Sequence, residues 1–148
     1  MKINILSLGK FKINQEYKSI FEYYKKRLRV KINLIEVKTF STEKKKELEK
    51  AEILKFIKED DHVITLDRNG ENLSSIKFSE VIDQKLNCGC KRLNFVIGSE
   101  EGLDDFFINS FTNLSFGNQT WPHLLVRVML IEQIYRAFEI IKNSQYHK

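Results

Sequence analysis

The sequence predicts an α/β fold: a mostly parallel sheet with helices on both faces, formed by one domain over residues 1–148. The first observation is that short apolar runs alternate with stretches of helical periodicity along the whole chain. The second is that no linker or repeat divides them, since 148 residues contain only one proline and six glycines. Parallel strands need crossover helices between them, and this alternation supplies one after each strand but the last.

The elements follow one another in a regular order. Strands are predicted at 3–8, 32–37, 62–67, 93–97 and 113–116. Helices are predicted at about 14–29, from Ser41 or Thr42 through Ile57, from Ser74 or Ser75 to about Leu86, near 103–110, and from Pro122 to about Asn143. Asn69-Gly70 is predicted to turn the chain after the third strand.

Composition limits the class of protein more than it identifies it. A net charge of +5 and a pI near 9.1 fit a nucleic-acid partner, although many globular proteins share this bias. No apolar run approaches the roughly 20 residues of a membrane span, and the N-terminus lacks a secretory apolar stretch, so a cytoplasmic protein is predicted. Cys88 and Cys90 lack a second ligand pair with zinc spacing, so no metal is predicted.

A ligand site is predicted where the strands end. Ligands of parallel sheets bind outside the carboxyl ends of the strands. These ends are Leu66-Asp67, the loop Gly98–Gly102 and the loop that runs from Phe116 to Trp121 before Pro122 opens the last helix. Such a pocket, built largely from backbone, suits a small polar ligand with an adenine ring. The dinucleotide, P-loop and hydrolase-elbow motifs are all missing from the sequence.

Several strings resemble those of one family, the RlmH-type proteins, which are small bacterial methyltransferases of the SPOUT class. They act on a pseudouridine of large-subunit ribosomal RNA. The resemblance covers essentially the whole chain, and its most specific strings are Val96–Gly102, Leu114–Phe116, Thr120–His123, Val126-Arg127, Glu132–Ala137 and Tyr146–Lys148. Ser99 departs from the second glycine that the family often has, and it would be strained if its φ were positive.

The resemblance implies a C-terminal trefoil knot, a homodimer, and S-adenosylmethionine bound in the knot. The implied reaction is methylation at N3 of a pseudouridine in 23S ribosomal RNA, without a membrane or a metal. The implied cofactor-binding residues are Leu66, Gly98, Phe116, Gly117, Asn118, Gln119, Thr120 and Trp121. Part of one apolar row on the last helix is predicted to meet the partner subunit: Leu124, Val128, Ile131 and Tyr135.

Methyl transfer to the imide nitrogen also requires the removal of one proton. The candidate catalytic residues are His147, Tyr146 and Arg127. Arg127 could instead form an interface ion pair or contact RNA, and His123 is more simply a surface or interface histidine. The tail Tyr146–Lys148 would be a frayed terminus but for its resemblance to the family's ending. The alternative function is a ribosome-associated RNA-binding module that has the fold without the activity.

Overall fold

The computed structural model describes residues 1–11 and 15–148, and within these ranges five strands alternate with five helices. The order confirms the predicted one. The predicted start of the first helix, Asn14, lies outside the described residues. The elements are β1 (Lys2–Leu8), α1 (Gln15–Arg27), β2 (Lys31–Val37), α2 (Lys45–Leu54), β3 (His62–Asn72), α3 (Ser75–Asn87), β4 (Arg92–Ile97), α4 (Asp105–Ser110), β5 (Thr112–Ser115) and α5 (His123–Ile141).

The five strands form one parallel sheet in the order β2-β1-β4-β3-β5. In the middle of the sheet, Ile5 of β1 pairs with Leu34 of β2 and with Phe95 of β4. Because all the strands point the same way, their carboxyl ends share one edge of the sheet, as predicted. This edge is called the carboxyl edge below.

Helices cover both faces of the sheet, because successive strand residues point to opposite sides. Ile5 and Phe95 belong to a core cluster with apolar residues of α1, α3 and α5, among them Phe21 and Ile82. Residues one position along, such as Leu6 and Val96, belong to a second cluster with Ile53 of α2 and Phe107 of α4. The two-faced α/β architecture is therefore confirmed, and the trefoil knot stays a prediction.

The predicted turn at Asn69-Gly70 is a bulge inside β3. Leu66 and Glu71 both pair with Leu114 of β5, so the four residues between them loop out of the ladder. A Cβ atom on Gly70 would lie 2.7 Å from the backbone carbon of Leu114, which leaves room only for glycine. The Asn-Gly pair correctly indicates an irregular point in the chain, but β3 continues after it.

Of the two predicted helix caps, one is right and one is wrong. The Ser74 side chain accepts a hydrogen bond from the backbone N–H of Lys77 at the start of α3. Neither Ser41 nor Thr42 caps α2, which begins after Lys44 without a side-chain cap. The backbone carbonyl of Thr42 accepts from the N–H of Lys45 at 3.0 Å, so this main-chain bond takes the place of a hydroxyl cap.

A buried chain of polar side chains crosses the three strands β2, β1 and β4. Asn33 donates to Asn4 at 2.8 Å, and Asn4 donates to Asn94 at 2.7 Å. Asn94 then donates to the Asp61 carboxylate at 2.8 Å, and Arg92 donates to the same carboxylate at 2.6 Å. The asparagines are direct partners in the strand ladders, so a shift in register would leave buried amides unpaired.

We expect Asn94→Leu to lower the free energy of unfolding by about 1–3 kcal/mol, because it leaves Asn4 and Asp61 each short of a partner. Urea unfolding measures this change. Asn109→Leu, on the exposed side of α4, is the control and should stay within about 0.5 kcal/mol of the original protein. Equal stability of the two variants would show that the polar chain contributes nothing.

Candidate active site

Three chain segments meet at the carboxyl edge because β3 lies between β4 and β5. They are the bulge at 67–70, the loop that follows β4 and the loop that follows β5. The segment from β5 to α5 starts at one side of the sheet and arrives at the end of β1, so it passes the ends of β3 and β4. These loops are the ones in which the sequence predicts a ligand site built largely from backbone.

The loop after β4, residues 98–102, closes on itself. The N–H of Gly102 donates to the Ser99 carbonyl at 2.9 Å, and Gly102 has a φ of +79°. A Cβ on Gly98 would lie 2.8 Å from the backbone carbon of Gly102, so the close approach of the loop to itself requires a glycine at 98. Among the described non-glycine residues only Asn143 has a positive φ, and Ser99 is therefore unstrained.

The loop after β5, residues 116–121, is held by side chains at its two ends. The Ser115 hydroxyl accepts from the N–H of Gly117 at 3.1 Å, and Trp121 Nε1 donates to the Phe116 carbonyl at 3.2 Å. Gly117 has a φ of +107°, which favours glycine at this position. The residues between, Asn118, Gln119 and Thr120, are exposed. Leu66 is buried in the core, so only its backbone can serve a ligand.

Arg127 is fully buried, with 0% exposure, beneath the carboxyl edge. Its Nη2 donates to the carbonyls of Leu8 and Gly9 at 2.8 and 3.0 Å, and its Nη1 lies 3.3 Å from the Glu36 carboxylate. Burial lowers the pKa of Arg127 to about 10, although Glu36 opposes this shift. A side chain without solvent contact cannot touch RNA in this conformation, so the geometry indicates that Arg127 ties α5 to the end of β1.

We expect Arg127→Met to destabilise the protein, by about 1–3 kcal/mol for each buried acceptor left without a partner. Loss of the guanidinium removes the bonds to the two carbonyls of the turn after β1. Urea unfolding measures the loss, and Arg29→Met, at an exposed position, is the matched control. Arg127→Met with unchanged stability and a lower methylation rate would instead indicate a direct role in the reaction.

The predicted catalytic tail packs against α5. The Tyr146 hydroxyl donates to the Glu132 carboxylate at 3.1 Å, and Arg136 Nη1 lies 3.3 Å from His147 Nδ1. The Tyr146 ring meets the ring of Tyr135 edge-on at 4.9 Å. Burial, reinforced by hydrogen bonding to neighbours such as Glu132, raises the pKa of Tyr146. This terminus is therefore packed rather than frayed.

Among the described residues, no hydrogen bond joins the tail to the loops of the carboxyl edge. The tail's contacts are with the middle of α5, while the first turn of α5 adjoins the loops. Glu132 lies nine residues beyond His123, which is about 14 Å along the helix axis. The structure thus brings the predicted cofactor-binding residues to one edge and leaves Tyr146 and His147 apart from them.

His123 lies at the carboxyl edge, and the sequence analysis assigned it no functional role. It is half-buried in the first turn of α5, and its Nε2 would lie 3.8 Å from a Cβ on Gly9. Burial, and secondarily the charge of Arg127, lower the pKa of His123. The signal in the sequence was its position directly after the loop that follows β5, at the start of a helix.

A groove of about 450 Å³ lies beside this edge, between α1, α3, α5 and the end of β5. Its lining is mostly apolar and includes Ile20, Tyr24, Phe116, Val128 and Met129. The side chain of Ile20 on α1 is 44% exposed, although it lies on the face of the helix that lines this groove. Isoleucine is more often buried at such a position. Phe116 is the one predicted cofactor-binding residue that lines it.

Two kinds of feature are missing from the described part of the chain. Within residues 1–11 and 15–148, no helix has the length and apolar character that a membrane crossing requires. Over the same ranges, no cluster of three or more histidine, cysteine or acidic side chains is arranged to hold a metal ion.

Comparison with known proteins places the chain in a class. A family model described as a predicted SPOUT methyltransferase matches residues 1–147, and the chain belongs to this family. A solved structure titled as a probable methylase family protein from Haemophilus influenzae Rd KW20 superposes with a TM-score of 0.54 at 13% identity. The superposition covers 99% of this chain and 70% of the solved chain, and it shows that the two folds are alike.

More similar relatives carry a particular name. A protein of Mycoplasmopsis agalactiae named ribosomal RNA large subunit methyltransferase H is 40% identical over 99% of both chains. A protein of Caldicellulosiruptor saccharolyticus with the same name is 43% identical, again over 99% of both. The chain is therefore similar to these enzymes over its whole length.

Proposed function

We propose that this protein transfers a methyl group from S-adenosylmethionine to N3 of a pseudouridine in the 23S RNA of the large ribosomal subunit, in the cytoplasm. The observation that carries the proposal is the full-length similarity to proteins named ribosomal RNA large subunit methyltransferase H. The loops at the carboxyl edge support it, because they offer backbone groups for a small polar ligand.

The residues at this edge fit the methyl donor. The Ser99 hydroxyl is buried and has no hydrogen-bond partner among the described residues, so a ligand would satisfy it. The proposed binding residues are those of the two loops, with Gly98 and Gly117 keeping their backbones open, and the backbone of Leu66 between them. When bound, the donor supplies an electrophilic methyl group.

We assign the proton transfer to the tail. The bound donor would supply the methyl group and would keep the electron pair of its C–S bond on sulfur, so the chain's own task would be to remove the proton of N3. The imide proton passes to the His147 imidazole. Tyr146 suits a hydrogen-bonding role rather than a basic one, because its raised pKa keeps the phenol protonated. Arg127 acts from below by positioning the turn after β1.

The distance from the tail to the loops supports a site shared between two subunits. A tail that packs about 14 Å away along its own α5 can serve the loops of a second copy. The apolar groove beside α1 and α5 offers a surface for that copy, with Ile20 exposed in it. Of the apolar row predicted for this role, Val128 lines the groove although it is only 8% exposed, and Ile131 is 0% exposed within the subunit's own core.

We expect a dimer at micromolar concentration in sedimentation equilibrium. Ile20→Glu would place a charge in the groove and shift the protein towards the monomer, with a loss of methylation. Ile76→Glu is the matched control, because Ile76 is 52% exposed on α3 and does not line the groove. A monomer with full activity would contradict the shared site.

The activity itself is tested with purified protein, ribosomes and S-adenosylmethionine labelled in the methyl group. We expect label in the large-subunit RNA, and saturable binding of S-adenosylmethionine by calorimetry. The alternative, an RNA-binding module without activity, predicts ribosome binding with neither labelled RNA nor donor binding.

A further inference from the structure

The sheet has a topological switch point between the ends of β1 and β4, next to the proposed donor loops, and this place is called the crevice below. The connection from β1 leads through α1, on one face of the sheet, to β2. The connection from β4 leads through α4, on the other face, to β5. Where two adjacent parallel strands send their connections to opposite faces, their carboxyl ends separate and leave a place for a ligand.

His123 lies in this crevice. Its Nε2 adjoins Gly9 at the end of β1, and the charged groups that face the imidazole are Arg127 from α5, Glu100 from the loop after β4 and Lys45 from α2. His123, Gly9 and Glu100 of the loop that starts at Gly98 therefore lie near one another at this place.

The ring nitrogens of His123 are free to bind a ligand. Nδ1 of His62 lies 3.4 Å from Lys85 Nζ, and Nδ1 of His147 lies 3.3 Å from Arg136 Nη1. Among the described residues, no side chain or backbone group forms a hydrogen bond with either ring nitrogen of His123. A half-buried imidazole without partners beside a ligand crevice has one donor and one acceptor to offer.

We propose that His123 binds the target base and selects pseudouridine over uridine. This inference rests on the proposed function and extends it to substrate choice. Pseudouridine is joined to its ribose through carbon, so its N1 bears a hydrogen that uridine lacks. The acceptor nitrogen of a neutral imidazole takes that hydrogen bond. Burial, and secondarily the positive charge of Arg127, lower the pKa of His123 against the opposing charge of Glu100, which preserves the acceptor.

Substrate preference separates this role from a structural one. A site that hydrogen-bonds a substrate N–H discriminates strongly against the analogue that lacks it, because its own polar group is then left unpaired. The experiment compares single-turnover methylation of two ribosome preparations. One carries pseudouridine at the target, and the other comes from cells without the pseudouridine synthase and carries uridine there.

His123→Phe keeps a ring and removes the acceptor. We expect its rate on pseudouridine ribosomes to fall at least about tenfold while its rate on uridine ribosomes stays within about threefold of the original. His123→Gln retains an acceptor oxygen and should recover part of the preference. Calorimetry should give both variants the original affinity for S-adenosylmethionine. If His123→Phe fails to fold, His123→Leu replaces it.

His62→Phe is the control, because His62 lies at the amino end of β3, on the opposite edge of the sheet. It should leave both rates unchanged. Equal losses on the two ribosomes, unchanged rates, or weakened donor binding in His123→Phe would each overturn the assignment. If the unaltered protein methylates neither ribosome, the proposed function fails and the role of His123 fails with it.

Discussion

Removal of Tyr146 to Lys148 should lower the rate of methyl transfer to ribosomes by about 10²- to 10⁴-fold in single-turnover assays, with unchanged affinity for S-adenosylmethionine. This range is what a general base typically contributes. The tail contacts α5 and lies apart from the donor loops in its own subunit, so its loss should spare donor binding. The rate of the intact protein should rise with pH as the imide nitrogen loses its proton.

Two further variants separate the tail's chemistry from its packing. His147→Ala should reproduce most of the loss, whereas removal of Lys148 alone should have little effect, because the contacts described above are made by Tyr146 and His147. A truncated protein with less than about a threefold change in rate would make the tail a bystander, well below the range expected of a base.

Gly98→Val should abolish binding of S-adenosylmethionine. Even a single Cβ at this position would lie 2.8 Å from the backbone carbon of Gly102 and 3.0 Å from the backbone nitrogen of Leu103. Real Cβ atoms do not approach backbone atoms so closely. The atoms that would have to move belong to the backbone and not to a flexible side chain. The loop must therefore shift as a whole, and its backbone groups leave the carboxyl edge.

Gly89→Val is the comparison for this substitution. Gly89 has a φ of +73° and open space around its Cβ position, so valine there strains the backbone without displacing a loop of the site. We expect Gly89→Val to lose stability and to keep its calorimetric affinity for the donor. A folded Gly98→Val protein that binds S-adenosylmethionine as tightly as the original would disprove the role of this loop.

The architecture could be predicted because each element carries its own periodicity. The apolar run at 93–97 and the helical spacing of the segment from Pro122 to about Asn143 identify a buried strand and a long helix without knowledge of the rest. The polar residues in β1 and β4, Asn4 and Asn94, do not spoil the pattern, since each satisfies the other in the sheet.

The errors occurred where tertiary contacts decide the local structure. Asn69-Gly70 has the composition of a turn. The chain pairs with β5 again directly after it, so the segment forms a bulge within β3. Ser41 and Thr42 have the composition of caps, but a main-chain carbonyl already binds the N–H of Lys45. Composition alone does not show which neighbour will compete for these groups.

The candidate site could be predicted only in part, because some of its features depend on how the helices pack. The proposed cofactor-binding loops follow from the rule that parallel strands bind ligands at their carboxyl ends, and this rule needs only the strand pattern. The burial of Arg127 and the position of His123 depend on how α5 crosses the sheet, which no local pattern reveals. The exposure of Ile20 likewise becomes visible only once α1 and α5 are packed together.

Mass spectrometry of 23S ribosomal RNA tests the central proposal most directly. Fragments of this RNA are compared between cells with the gene and cells without it. The account predicts one fragment that is heavier by a single methyl group only when the gene is present, with the added mass on a pseudouridine at N3. Identical methylation of the large-subunit RNA in both cells would contradict it.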